Sequence, residues 1–343
     1  MADSIQLPRP VELSTAQRQE ATRLYGRALE LQRDGTPANT RRAYEGDWRR
    51  FQDWCTRLGQ RLLPASPQTV ILYVTHLADP TRTADCHSRA GMCKPATIDR
   101  AVSAISYFHR LNGFVSPRES VHVRNHVRKV KNALKLAVQQ AAPLLVAHLR
   151  AIVARMPATE PVAIRDKAVL LLGWAAALRR SEIAALNRRD VALLEHGAVL
   201  SIWTSKTDQE GAGEAIPVEP ADNTDLCPLR ALRAWLEVPD VQPADEALFG
   251  RTWYGELAPE RIVEREVNAI VQKWTRRAQL VPENPSLKFS AHSLRAGFIT
   301  EAARAGHPEW RIMQHSRHDS YESFREYIRL ANPFQDNPGK GLL

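Results

Sequence analysis

The chain has 343 residues, a formal net charge of +9, and 44% hydrophobic against 25% charged residues, which suits two domains that each bury a core. Its longest apolar run, 168–178, is too short to span a bilayer and contains Gly173, so a membrane-spanning helix is excluded as a reading and a buried helix is expected. Four cysteines (Cys55, Cys86, Cys93 and Cys227) in a chain of this length do not form a disulfide framework.

The N-terminus carries Asp3, Pro8 and Pro10 and shows no apolar signal core, so a cytoplasmic protein is expected. Cys86, His87 and Cys93 lie close together but lack the paired spacing of a zinc site. The cysteines read as reduced thiols, with no metal and no cofactor expected. The charge is uneven. Residues 1–142 hold 22 Lys+Arg against 12 Asp+Glu, and residues 143–343 hold 25 against 26. The first segment is therefore a basic module whose natural partner is a polyanion. Phosphate chemistry in the second must depend on placed charges rather than on bulk field.

Residues 1–15 read as a disordered N-terminus. From 39 to 58, Ala43, Trp48, Phe51, Trp54 and Leu58 follow helical spacing, with Arg41, Arg42, Arg49, Arg50 and Arg57 on other faces. Ser66-Pro67 is a helix-start signal continued by Val70, Ile71, Val74 and Leu77. Ile98, Val102, Ile105, Phe108 and Leu111 mark a third helix closed by Gly113. A fourth, about 120–136, turns Val123, Val127, Val130 and Leu134 inward, flanked by Arg124, Arg128, Lys129, Lys131 and Lys135. Residues 16–136 thus form an all-helical basic bundle. A small, polar stretch at 137–143, ending in Pro143, reads as a flexible linker that would let two halves grip a duplex.

The second domain, 144–330, opens with helices near 144–156 and 162–178 and a short one from Ser181 to Leu186. Then the period changes. Val199, Ile202 and Trp203 lie in one β-favouring run and 215–218 in another, joined by the turn-rich stretch 208–213. This is a β-hairpin, part of a small antiparallel sheet, with Lys206 near its tip. Helices resume at about 228–237, 261–279, 291–305, 308–315 and 321–330. The tail, 331–343, holds two Pro and two Gly and reads as irregular. The fold class is mainly α.

Six residues along this second half supply what breaking a phosphodiester requires: Arg179, Lys206, His292, Arg295, His318 and Tyr327. The phosphate is negative and the alkoxide leaves poorly, so the needs are oriented cations and a proton donor. Arg179 and Arg295 suit the first task, because a guanidinium stays charged and forks across two oxygens. His292, one turn before Arg295, shares its face. Lys206 could protonate the leaving oxygen as general acid. Tyr327 would be the nucleophile, activated by a base or a cationic pocket. Taken singly, each has a plain structural explanation: a helix-end arginine, a solvated loop lysine, a capping His–Arg pair, a surface tyrosine. His315 rivals His318, and Tyr321 and Tyr254 rival Tyr327. Joint occurrence, in order and on suitable elements, favours the chemical reading.

At this point the chain resembles the tyrosine recombinases, also called phage-integrase-type recombinases. Ala177-Leu178-Arg179-Arg180-Ser181-Glu182-Ile183 is similar to the family's first arginine box, which implies a catalytic Arg179 supported by Glu182. Ser205-Lys206-Thr207 resembles its β-hairpin lysine. Ala291-His292-Ser293-Leu294-Arg295-Ala296-Gly297 resembles its His-x-x-Arg box, and His318 and Tyr327, nine apart, match its last two positions. Asn39-Thr40 with Tyr44, Trp48, Phe51 and Trp54, then Thr97-Ile98-Asp99 with Ala104-Ile105 and His109, resemble its core-binding domain. The length and two-domain layout are similar to Cre-like members, which share Ala296's lack of a histidine after the second arginine.

The resemblance implies a site-specific recombinase acting on double-stranded DNA with inverted-repeat recombination sites. It implies a 3′-phosphotyrosyl intermediate, a Holliday junction, and a homotetramer on DNA from a free monomer, with no membrane involved. Arg41, Arg42, Arg49 and Arg100 in the first domain and Arg265 in the second are candidates for DNA contact. The rivals are a type IB topoisomerase, a DNA-binding protein with a relict site, and a metal-dependent nuclease. The sequence has no G-x-x-x-x-G-K loop and no carboxylate cluster calling for two metals.

Overall fold

Apolar side chains at helical spacing build the first of two units, Met1–Val138, and the second is Gln139–Leu343. The computed structural model describes residues 14–15, 19–20, 23–24, 36–83, 91–134, 141–203, 213–238, 246–318 and 320–331. The expected irregular ends at 1–13 and 332–343, the first part of the expected linker (137–140), and Cys86 and His87 lie outside those residues.

In the first unit, α1 (Ala38–Arg57) packs on α3 (Pro95–Leu111), and α2 (Pro67–Ala78) packs on α4 (Val121–Leu134). Ser66 Oγ accepts from the Thr69 N–H at 3.1 Å and Pro67 takes the first helical position, so the start signal of α2 works as expected. Phe51, Trp54, Val74, Ile98, Ile105 and Val123 are buried in one core. Tyr73 joins the rings of Phe51 and Trp54 at centroid distances of 4.9 and 5.1 Å. Burial of each such side chain stabilises by about 1.5–3 kcal/mol. Leu58, expected inward, is exposed because it caps the end of α1 rather than lying within it. His109 is a buried structural residue. Its Nε2 accepts from the Ala65 N–H at 2.9 Å and its Nδ1 bonds the Ile105 carbonyl at 2.7 Å.

In the second unit the apolar run forms α6 (Pro161–Ala175), which follows α5 (Val146–Val153) and precedes the short α7 (Arg180–Ala185). Ala168 to Gly173 are buried on every side, as the sequence predicts. Strands β1 (Val191–Leu194), β2 (Gly197–Ile202) and β3 (Glu214–Val218) form an antiparallel sheet in the order β1-β2-β3. Register pairs Leu200 with both Val191 and Ile216. Ala198, Leu200 and Ile202 alternate inward along β2 and Ile216 and Val218 along β3, which sets the sheet on the core. Helix α8 (Pro228–Leu236) packs on α6. Then comes a ribbon the sequence does not predict, β4 (Gly250–Trp253) against β5 (Glu256–Arg261). It is short, mostly half-buried or exposed with no regular inward face, and carries Pro259, so it lacks the alternation that announces a strand. Consequently α9 (Glu264–Arg277) begins later than the expected residue 261. Arg261 instead closes β5, and its guanidinium caps the carbonyls of Ala184, Ala185 and Leu186 at the end of α7.

Helices α10 (His292–Arg304), α11 (Glu309–Ser316) and α12 (Tyr321–Ala331) complete the unit. The last residues of the expected linker belong here. The Ala142 N–H donates to the Lys288 carbonyl at 3.1 Å, Ala142 is buried, and the Leu144 N–H donates to the Ser293 carbonyl at 2.9 Å. A buried charge network ties α6 to α9. Asp166 accepts from Arg165 (2.6 Å), Lys273 (2.9 Å) and the Trp274 indole (2.7 Å), and Arg165 also reaches Glu266 at 3.0 Å.

Close approach fixes the depth of α10. A Cβ on Gly297 would stand 2.0 Å from the Leu144 carbonyl oxygen and 2.8 Å from the Trp174 indole nitrogen, whereas one on Gly46, within α1, would meet nothing. Gly297→Ala is therefore expected to lose roughly 2–3 kcal/mol in urea unfolding through overpacking. Gly46→Ala should gain about 1 kcal/mol from helix propensity. A neutral Gly297→Ala would mean that α10 does not sit this close.

Candidate active site

The site is assembled at the ends of helices. The chain leaves α6 at Ala175 and turns through Ala177, whose φ of 47° is left-handed. Arg179 then occupies the N-cap position of α7. Glu182, in the first turn of α7, accepts from the Arg179 N–H at 2.8 Å and from its guanidinium at 2.7 Å. A carboxylate is favoured there because it satisfies a free helix-start N–H and faces the positive end of the dipole. Burial alone would raise the Glu182 carboxyl. Arg317, the Arg179 N–H and the Arg179 guanidinium outweigh it and hold the carboxyl below its ordinary range.

Helix α10 delivers His292 from its first residue and Arg295 one turn later. The Arg295 side chain is buried with its fork held from both sides. One terminal nitrogen donates to the Ala177 carbonyl at 3.0 Å, and the other donates to the Arg317 carbonyl at 3.1 Å and lies 3.1 Å from His318 Nδ1. Burial, then Arg179 and Arg317, lower its pKa to about 9, so it remains a cation at neutral pH.

Tyr327 comes from α12, and its hydroxyl lies 2.5 Å from His292 Nε2. The Tyr327 ring centroid is 6.0 Å from that of His292 and 5.7 Å from that of His318. His318 Nδ1 is also 2.8 Å from Ser316 Oγ. One edge of His292 is open to solvent, yet burial of the rest and the charges of Arg295, Arg179 and Arg180 lower its pKa to about 4. Burial and the same two guanidiniums of Arg295 and Arg179 lower His318 to about 3. Both imidazoles are therefore neutral at pH 7. The arrangement offers a phenol hydrogen-bonded to a neutral imidazole beside two oriented guanidiniums.

The rivals lie elsewhere. His315 bonds the Ala175 carbonyl at 2.8 Å and stacks on Phe298 at 4.5 Å. Tyr321 is exposed and donates to Glu309 at 2.7 Å, which raises its pKa. Tyr254 is almost fully exposed. Arg180 pairs with Glu264 at 3.1 Å. Thus Arg179, Glu182, His292, Arg295, His318 and Tyr327 come together. Lys206 falls within 204–212, outside the described residues. A groove of about 1220 Å³ lined by Val146, Trp174, Ile216, Phe298, Trp310 and Arg317 includes neither Tyr327 nor His292.

Sequence reasoning missed Arg317. It caps α11 with φ 55° and ψ 57°, is buried, and pairs with Glu182 at 2.7 Å. A left-handed C-cap normally announces itself as Gly or Asn, so an arginine there gives no signal. Among the described residues no three His, Cys, Asp or Glu side chains cluster to hold a metal, and no helix is long and apolar enough to cross a membrane.

The five arginines considered for DNA contact divide by how they are held. Arg42 and Arg49 are exposed two turns apart on α1, hydrogen-bonded to Asn39 at 3.0 Å and to the Glu45 carbonyl at 3.4 Å. Arg41 is half-buried and Arg265 is exposed in the first turn of α9. Arg100 uses its fork on buried Asp47, at 2.7 and 3.3 Å.

Comparison with known proteins gives a consistent result. Residues 144–333 match the model of the phage integrase family. An integrase/recombinase XerD homolog of Selenomonas ruminantium is 32% identical over 304 residues, which is 87% of this chain and 84% of that one. The tyrosine recombinase XerC of Haemophilus ducreyi is 28% identical over 172 residues, 50% of this chain and 49% of that one. Among solved structures, lambda integrase in a dimer bound to a core site shares the fold with a TM-score of 0.59 at 15% identity, over 89% of this chain and 93% of that one. XerH recombinase bound to its palindromic difH substrate gives 0.52 at 13% identity, over 79% and 70%.

The two imidazoles make a test. A histidine whose folded pKa lies below the ordinary 6.5 binds fewer protons folded than unfolded. Its contribution to stability is present above 6.5 and is lost as pH falls towards the folded values of about 4 and 3. In an NMR titration of the free protein, the His292 and His318 rings should gain no proton between about pH 8 and pH 5. A midpoint near 6.5 in either ring would contradict the desolvated, cationic setting.

Proposed function

The chain belongs to the phage integrase family of site-specific tyrosine recombinases, and on that footing we propose that it cleaves and rejoins double-stranded DNA with Tyr327 as the nucleophile. The observation that carries the reading is the Tyr327 hydroxyl lying 2.5 Å from His292 Nε2, with Arg295 one helical turn away. In this reading the two non-bridging oxygens of the scissile phosphate bind Arg179 and Arg295, which offset charge that grows in the transition state. The incoming negative charge also offsets the guanidiniums that depress His292, so its Nε2 becomes a better acceptor for the phenol proton. The Tyr327 oxygen attacks phosphorus, the bond from phosphorus to the 5′ oxygen breaks, and Lys206 gives that oxygen a proton. The products are a 3′-phosphotyrosyl ester and a free 5′ hydroxyl. His318 keeps Arg295 in place.

The reverse step lets a partner's 5′ hydroxyl attack the phosphotyrosyl bond. Ester is exchanged for ester, so no nucleotide is consumed. Two rounds pass through a Holliday junction within a homotetramer that assembles on inverted-repeat sites. Residues 144–330 do this chemistry. Residues 16–136 hold the duplex through phosphate contacts, with Arg41, Arg42 and Arg49 on α1 and Arg265 on α9 as candidates for base edges. Arg100, whose fork is engaged by Asp47, is a candidate in the same unit with part of its hydrogen-bonding capacity already used.

A nicked duplex that loses its 5′ fragment on cleavage traps the covalent adduct. Tyr327→Phe should remove all adduct while DNA affinity stays within about twofold, because a phenyl ring keeps the packing. Mass mapping of the wild-type adduct to Tyr321 instead of Tyr327 would overturn the assignment. Lys206→Ala should slow cleavage by at least about 100-fold on normal DNA, the usual worth of a general acid. It should be restored on DNA carrying a 5′-bridging sulfur, whose thiolate leaves without a proton. Failure of that rescue would remove Lys206 from the role.

A further inference from the structure

Two non-glycine residues in this unit's site are left-handed, and both aim their carbonyls at the same guanidinium. Ala177 (φ 47°) accepts from one arm of the Arg295 fork at 3.0 Å and Arg317 (φ 55°) from the other at 3.1 Å. The Arg317 carbonyl also accepts from Arg179 at 2.8 Å. A single backbone oxygen therefore links the two cations on which the proposed phosphate binding depends.

A side chain in this conformation is costly, because its Cβ crowds the following carbonyl, so something must hold it. The Arg317 guanidinium does so. It donates to Glu182 at 2.7 Å, to the Ala177 carbonyl at 3.2 Å, to the Ala176 carbonyl at 3.3 Å and to the His315 carbonyl at 3.0 Å. Glu182 in turn holds Arg179 through its other oxygen. The Arg317 side chain is nearly inaccessible, so it does not itself reach a DNA phosphate.

We propose that Arg317 is a positioning residue for this site: its guanidinium ties it to Glu182 and to the end of α6, and its left-handed backbone carbonyl orients Arg179 and Arg295 together. This rests on the reading of Arg295 and Arg179 as phosphate-binding cations. It assigns separate tasks to the side chain, which locks the turn, and to the backbone oxygen, which aims the forks.

The test is the single-turnover rate of adduct formation on the nicked duplex, beside DNA affinity and thermal unfolding. Arg317→Ala should slow the rate by about tenfold or more, since alanine resists the left-handed region, and affinity should stay within about twofold. Arg317→Gly, which adopts that region freely, should be faster than Arg317→Ala. A rate for Arg317→Ala equal to or above that of Arg317→Gly overturns the proposal. The second arm replaces one non-bridging oxygen of the scissile phosphate with a methyl group, giving a neutral phosphonate that needs less cationic help. On it the gap between wild type and Arg317→Ala should narrow towards one. A purely structural defect would leave the gap unchanged, and that result overturns the proposal. Should Arg317→Ala fail to fold, Arg317→Lys replaces it, since an ammonium reaches Glu182 but cannot fork onto both carbonyls, and the same narrowing is required. Arg295→Ala is the control for the underlying reading. If its gap does not narrow on the phosphonate, that reading fails. If its gap narrows and that of Arg317 does not, only the role of Arg317 fails.

Discussion

Three guanidiniums share one desolvated pocket, and the geometry of the site follows from finding acceptors for them. Arg295 and Arg317 are buried and Arg179 keeps 20% of its side chain exposed, so little of their charge disperses into water, and buried cations without partners are severely penalised. Among the described residues Glu182 is the one carboxylate buried with these three, and it pairs with both Arg179 and Arg317. Among the described residues Arg295 has no carboxylate within ion-pair distance, and it relies on the carbonyls of Ala177 and Arg317. Helix ends are where unpaired carbonyls occur, which is why the site forms where α6 and α11 stop. The same condition leaves the positive charge incompletely neutralised and ready for an anion.

That pocket needs close helix packing. Gly173 lets α6 meet Ile183 and Leu294, since a Cβ there would stand 2.8 and 3.1 Å from their methyl groups. Gly297 lets α10 sit against the Leu144 carbonyl, and the Trp174 indole donates to the same oxygen at 2.8 Å. Larger residues would push α10 outward and carry Arg295 away from Ala177. Apolar packing thus sets the positions, and the polar network sets the orientations. The histidines follow from both, because burial and adjacent guanidiniums together keep them uncharged.

The basic unit treats its charge differently. Asp47, buried in α1, binds Arg100 and also pairs with Arg50, and Lys131 pairs with Asp99. Part of the positive surplus therefore holds helices to one another. Arg42 and Arg49 stand on the solvent side of the same helix. A count of charges registers surplus, and only packing divides it between structural pairs and an outward face.

Much was legible in the chain itself. The apolar run in α6, the Ser66-Pro67 start of α2, the inward alternation of β2, and the motifs around Arg179, His292 and Tyr327 are local patterns, each written within a turn or two. They specify helix, strand and residue type, because burial periodicity and end-capping act over a few residues. The β4–β5 ribbon was not legible, since a short half-buried pair with a proline and no regular inward face has no alternation to write. Nor was Arg317. Its left-handed turn is held by Glu182 and by carbonyls more than 130 positions earlier in the chain, and contact at that range leaves no local trace. The sequence determined which groups the molecule owns and what elements carry them. Tertiary structure decided that Tyr327 rather than Tyr321 would meet His292, and that His318 rather than His315 would meet Arg295, because only packing brings helix ends from separate stretches to one point.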